Sequence, residues 1–295
     1  MIRLNSEIRL QLTAYGLLFF VFVLVTLVAG CEKLDTSLPS KGGKNLTLSF
    51  SADASTRATP AECFTKLHLM LFDQYGSKAF TQAKTQNAGD ENFGTFSIAV
   101  GEGTYTVVAV GHSSPVSATI KSLQQVTFTA SDGRKLTDTF CYCGQVVVGS
   151  DPQRYDCTMQ RVCAMLRFIF TDSDVPANLA RWQFSYTGGS ANFNPSTSEG
   201  CTKSTQSEIR NLGEELEIYT FPYLAADGSL KVTVSALDAA GVILRQRVFE
   251  SIPVSRNRIT TYRGTFFEDG DGQITQSGLG FTVNDQWAGE DIIDF

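Results

Sequence analysis

Charge is scarce in this chain, and histidine and tryptophan are scarcer. Only 18% of its 295 residues are charged, with two histidines and two tryptophans. Zinc catalysis or a Ser–His–Asp arrangement would have to be built from His68 and His112 alone. Both lie in or at the end of strand-like apolar runs, and His68 reads as a packed side chain. No Walker-type phosphate loop is present, because the Gly-rich segments read as hairpins rather than strand-to-helix turns. A basic cluster is missing too. With a net charge of −6 and a pI near 5.0, nucleic acid and anionic lipid surfaces are poor partners. An amphipathic helix of useful length is absent from the pattern. Carboxylate pairs for glycoside hydrolysis stay open, since such partners need not be close in sequence. The expectation is a protein that is not an enzyme and needs no cofactor.

What is abundant is phenylalanine, 21 residues, and glycine, 25 residues, the profile of a β-rich extracellular protein with many turns. Its start is just as specific. Arg3 and Arg9 precede an apolar run from Leu17 to Val28, then Ala29 and Gly30 directly before Cys31. Basic start, apolar middle and small residues are the parts of a secretory signal, and with the cysteine they look like a bacterial lipobox. Residues 1–30 are then a lipoprotein signal peptide and Cys31 the lipidated (palmitate-bearing) mature N-terminus. An uncleaved membrane helix is the alternative, but the run is short for the roughly 20 residues a span needs. Glu32 to Lys44 reads as a polar tether that holds a folded body clear of the membrane. The remaining cysteines, Cys63, Cys141, Cys143, Cys157, Cys163 and Cys201, permit disulfides outside the cytoplasm in 15 connectivities, none of them selected by spacing. Cys141 and Cys143, one residue apart on a strand, would share a face.

Short β-type runs fill the rest. Leu46 to Phe50 alternates, and Leu67 to Phe72 is apolar on both faces and ends in the Asp73–Gly76 turn. Phe93 to Val100 and Thr104 to Val110, around Gly101–Gly103, read as a hairpin. Further strands are Val126–Thr129, Leu136–Val148, Cys163–Phe170, Trp182–Tyr186, Leu216–Tyr223, Ile259–Phe267 and Phe281–Val283. A second hairpin joins Leu230–Leu237 to Val242–Phe249, and Gly188 to Ser207 reads as a polar connection. Regular short strands with turns argue for antiparallel sandwiches. Two series imply two domains, 45–157 and 158–295.

Four segments resemble the fimbrillin-associated anchor proteins of Bacteroidetes, minor subunits of type V fimbriae. They are Leu69–Gly76, Gly103–Ala109, Arg161–Phe168, and Tyr262–Phe267 with Phe281–Val283 and Trp287. Each is ordinary sandwich grammar, and their order after the lipobox carries the likeness. It implies two tandem transthyretin-like Greek-key sandwiches. The implied role is attachment of a fimbrium to the outer membrane, with fimbrillin shaft or accessory subunits as partners.

The resemblance also frames the candidate site residues. Arg57 follows the first strand in a polar loop, where polymerising fimbrillins are cut by an Arg-specific protease; a solvated arginine is the plain alternative. Cleavage would free the first strand and open a groove for a neighbour's strand. Leu46, Leu48 and Phe50 on that strand, and Ile292, Ile293 and Phe295 at the C-terminus, are the candidate strand-exchange segments. The tail reads equally as the last strand of its own domain. Glu268–Gly272 lacks the full twelve-residue calcium loop and reads as a solvated turn, so no metal is expected. Two other readings stand beside the anchor: a shaft or tip fimbrillin cleaved after Arg57, and a surface glycan-binding lipoprotein using Trp182 and Trp287 as sugar platforms.

Overall fold

Alternating apolar residues punctuated by glycine turns make most of the described segments strands. The computed structural model describes residues 44–52, 59–128, 136–223, 228–268 and 287–295. The signal, the tether to residue 43, Cys31, Arg57 and its loop, the acidic turn from residue 269 and Phe281–Val283 lie outside the described residues. The first half supplies β1 (Leu46–Ala52), a single helical turn α1 (Pro60–Cys63), β2 (Lys66–Phe72), β3 (Lys84–Asn87), β4 (Thr95–Ile98), β5 (Gly103–His112), β6 (Ala118–Ser122), β7 (Gln125–Phe128), β8 (Thr139–Val148) and β9 (Gln153–Arg161). The second supplies β10 (Ala164–Phe170), β11 (Arg181–Thr187), β12 (Asn192–Asn194), β13 (Glu199–Gly200), β14 (Thr205–Asn211), β15 (Glu217–Thr220), β16 (Ser229–Leu237), β17 (Ile243–Pro253), β18 (Ile259–Gly264) and β19 (Glu290–Asp294). The protein is all-β.

Seven strands form one sheet in the order β3-β2-β5-β8-β9-β1-β4. Strands β8 and β9 pair only through Phe140–Arg161 and Cys141–Gln160. Beyond that short join the sheet doubles over, so that β1, β4 and β9 pack on β2, β5 and β8. Leu46, Leu48 and Phe50 meet Leu67, Leu69, Leu71, Val107 and Phe140 in the core between the layers. The other face of β2 and β5 is buried as well. Met70, Phe72, Val108 and Val110 pack on Ile120, Val126, Phe128 and Phe193. Burial on both faces is why Leu67–Phe72 is apolar without alternation, and why residues 107–110 run Val-Val-Ala-Val.

The cover on that second face is a four-stranded sheet, β13-β12-β7-β6. It is assembled from both halves of the chain, with Asn192 opposite Thr127 and Phe193 opposite Val126. The remaining strands make a sandwich of two four-stranded sheets, β15-β10-β18-β19 and β14-β11-β16-β17. Its core holds Phe168, Trp182, Phe184, Tyr186, Val234, Phe249, Tyr262 and Phe266.

One expected hairpin forms and one does not. Strands β16 and β17 pair antiparallel around the Asp238–Val242 turn, with Gly241 at φ 87°. Strands β4 and β5 do not pair with each other: β4 joins β1, and β5 lies between β2 and β8. The alternation of β4 buries only one face and suits a sheet edge, whereas the continuous apolar run of β5 needs a central position covered on both sides.

Candidate functional site

Strand β1 is locked in on every side. It pairs antiparallel with β4 over Leu46–Ser49 and parallel with β9 over its whole length. Leu46 and Leu48 are fully buried, and the Phe50 ring sits 6.2 Å from Phe96 and 6.0 Å from Tyr142 in edge-on contacts. Just before the strand, the Asn45 amide donates to Val100 O at 2.8 Å and accepts the Val100 N–H at 3.0 Å. Within it, past the last residue paired with β4, Phe50 N–H donates to Gly94 O at 2.8 Å. Burying each such side chain stabilises by about 1.5–3 kcal/mol, so the segment is an integral core strand.

The C-terminal candidates sit differently. Strand β19 pairs with one neighbour, β18, in parallel, and forms the edge of its sheet. Ile293 is buried, whereas Ile292 and Phe295 are half-buried. The Phe295 ring lies 4.9 Å from Phe249 and 6.1 Å from Tyr262. Acidic residues clamp the strand from outside. Asp291 takes two hydrogen bonds from Arg258, at 2.8 and 3.2 Å, and Glu290 accepts from Arg167 at 3.4 Å and from the Thr261 hydroxyl.

Two further constellations were not assembled by sequence reasoning. Arg161, at the end of β9, is 4% exposed in its side chain and makes a two-pronged ion pair with Asp138 at 2.7 and 2.8 Å. Its guanidinium also donates to Asn257 at 3.0 Å and lies between the Phe140 ring, 4.7 Å away, and the Trp287 ring, 4.0 Å away. One side chain thus ties three distant stretches of chain together. The second constellation is a histidine pair. His68 and His112 stack with ring centres 5.1 Å apart and Nε2 atoms 3.1 Å apart. His112 Nδ1 accepts the Ser114 N–H, so its proton sits on Nε2 and is donated to His68 Nε2. His68 then keeps its own proton on Nδ1 and donates it to Thr85 Oγ1 at 3.1 Å. Burial, with Lys66 adding to it, pushes His68 down to about 4; burial, with His68 and then Lys66 adding, pushes His112 down to about 3. Both rings are neutral at ordinary pH. Among the described residues no group of three His, Cys, Asp or Glu could hold a metal ion. The i,i+44 spacing of the pair gave no local signal in the sequence.

The six cysteines stand as separate thiols. Cys141 and Cys143 do share a face, and burial holds Cys141 and Cys163 well above the usual thiol range. Trp182 is 6% exposed in the core, and Trp287 rests on Arg161. Trp182 therefore offers no open ring face to a sugar, and the half-buried Trp287 has its ring against a guanidinium.

A family model matches residues 39–294, from just before β1 to the end of β19. The chain belongs to the family of unknown function DUF6562. No protein of curated function matches this DUF6562 member in sequence. Solved structures match it at low identity. A candidate adhesin from Bacteroides ovatus is 11% identical with a TM-score of 0.50, covering 75% of this chain and 87% of its own. A candidate polysaccharide-binding protein from Bacteroides thetaiotaomicron is 13% identical with a TM-score of 0.48, covering 68% and 78%. The fimbrial anchor protein Mfa2 from Porphyromonas gingivalis is 13% identical with a TM-score of 0.42, covering 68% and 80%.

Proposed function

We propose that this DUF6562 protein is a lipid-anchored minor subunit of a type V fimbrium. It attaches the fimbrium to the outer membrane at the cell surface and engages shaft or accessory subunits through extended strands. It works by binding, not by chemistry. The observation that carries the reading is the position of β1. The first described strand after the Cys31 tether is held between two neighbours, with Leu46, Leu48 and Phe50 buried. A pull from a lipid on Cys31 would enter the fold along that strand and load its flanking hydrogen-bond ladders in shear, as an anchor requires. The fold shared with the Bacteroides ovatus candidate adhesin is compatible with this role. The glycan reading loses Trp182, which is buried, and the ring of Trp287 is already engaged by a guanidinium.

Mass spectrometry of the mature N-terminus tests the proposal. A lipidated start at Cys31, and release of folded protein from the membrane fraction by Cys31→Ala, are the expected results. A mature start at Ala58 would overturn it in favour of a polymerising subunit that has given up β1.

A further inference from the structure

The doubled seven-stranded sheet has two ends, β3 and β4, and the fold brings them face to face. Alternation in the ladders fixes which backbone groups point into the space between. On β3, Ala88 N–H donates to Thr65 O, which turns Gln86 and Lys84 toward β2 and leaves Thr85 and Asn87 outward. On β4, Phe50 N–H donates to Gly94 O, which turns Phe96 and Ile98 toward β1 and leaves Thr95 and Ser97 outward. The two edges are not paired with each other. A side chain spans them instead. Gln86 donates to Thr95 O at 2.9 Å and accepts the Gly94 N–H at 3.0 Å. The outward N–H of Asn87 is taken by the Asp90 carboxylate at 2.7 Å, and that of Thr95 by Asn92 O at 2.9 Å.

Past that bridge, the outward backbone of Thr85 and Ser97 takes no strand partner, and both residues border a groove of about 680 Å³. Its walls carry Lys44, Lys84 and Arg154 against one acid, Glu91. That is a local excess of cations on a chain of net charge −6. Arg154 is lightly held, 3.3 Å from Ser49 Oγ and 3.8 Å from the exposed Asp156, and the Lys84 ammonium sits 5.1 Å above the Phe80 ring.

We propose that the β3–β4 groove is a docking slot for an extended peptide segment of another chain, one that carries carboxylates. The outward backbone N–H and C=O of Thr85 on one edge and of Ser97 on the other are the kind of groups that strand addition uses, and the three cations select the charge of the strand. A saccharide would meet no open aromatic face here, and two of the wall hydroxyls, Thr47 and Ser97, already face each other at 3.3 Å. The slot is separate from the position held by β1. It rests on the subunit reading only for the kind of partner, another protein chain.

The test is binding of the purified mature chain to a labelled peptide, acetyl-Thr-Glu-Val-Asp-Val-Glu-Thr-amide, by fluorescence anisotropy at low and high salt. Three comparisons accompany it: the same peptide with Lys for each acid, an analogue N-methylated at alternate residues, and polygalacturonate. The acidic peptide should bind and weaken with salt, with the Lys peptide and the N-methylated analogue at least tenfold weaker. Lys84→Glu combined with Arg154→Glu should cost tenfold or more while the thermal midpoint holds, since both side chains are on the surface. Binding that ignores N-methylation or the double variant would overturn the slot, as would preference for polygalacturonate or no binding at all. Binding seen only after removal of residues 31–43 would also overturn it, assigning the groove to the chain's own tether. None of these outcomes changes the mature N-terminus, so the slot and the anchor reading fail independently.

Discussion

The two ends of the folded chain are held by opposite means. Strand β1 lies inside its sheet, one place from the end, with a neighbour on each side and its inward side chains sealed from water. Strand β19 lies on an edge, with one neighbour, one buried isoleucine, a partly exposed ion pair (Arg258–Asp291) and a more buried one (Arg167–Glu290). Exposed pairs contribute little each, about 0–1 kcal/mol, whereas central burial contributes several times that. The first strand therefore leaves its place only if the fold opens. The last strand can separate at lower cost and leave most of its sandwich intact.

Several substitutions would sharpen or break this contrast. Phe50→Ala should have the largest effect, lowering stability by about 3–5 kcal/mol, read as a fall in the urea midpoint with an unchanged slope. A loss near 1 kcal/mol would mean that β1 is not the sealed strand described. Arg161→Ala should cost about 3 kcal/mol, because Asp138 would be left partly buried without its partner and Trp287, on the approach to β19, would lose its support. Arg161→Lys should recover only part of that, lacking the two-pronged geometry.

Acid acts on the same sheet that β1 packs against. Both histidines are neutral in the folded chain and return toward the ordinary 6.5 when it unfolds, so the unfolded chain binds more protons below that value. The stability is fully present above about pH 6.5 and is lost as pH falls toward 4 and 3, by at most about 2 kcal/mol per ring at pH 5. Urea titrations of wild type and His112→Phe from pH 7 to 5 should show a steeper loss for wild type; parallel curves would remove the pair from the account. Ile293→Ala on β19 should cost about 2 kcal/mol, the low end for a core aliphatic, and parity with Phe50→Ala would erase the contrast. The smallest change is Gly264→Ala. The added methyl would meet the Phe295 carbonyl, so amides of 290–294 should exchange faster with little change elsewhere. Uniform acceleration would contradict a separately held last strand.

Much of the architecture was legible because most strands alternate or run apolar between turns. Strand β1, the β16–β17 hairpin and the long run of β10 follow from residue type alone. Other elements were hidden for physical reasons. Strands β12 and β13 lie in the stretch read as a polar connection, and there a single Phe193, with Ala191, supplies the buried contact. Strand β14 carries Gln206, Glu208 and Arg210 toward the interior. Such residues read as exposed until one sees Glu208 paired with Arg210 at 2.5 Å and accepting the Tyr186 hydroxyl at 2.6 Å. Strand β9 reads as polar because only alternate positions, Cys157, Met159 and Arg161, turn inward. The candidate strands at both termini were found by pattern, but whether a strand is central or marginal depends on its neighbours, which are set by topology. The β3–β4 groove is farther still from the sequence, since it is made of backbone groups that every residue has.

The sheet built from β6, β7, β12 and β13 also sets an order of events. During synthesis the chain emerges N-terminus first, and Met70, Phe72, Val108 and Val110 are present long before Phe193 arrives to cover them. A nascent chain of 150 or so residues would carry a half-dressed sheet, the kind of intermediate that sticks to its neighbours. Truncation after residue 158 should thus yield an aggregating fragment, because that face is covered only once the second half has followed.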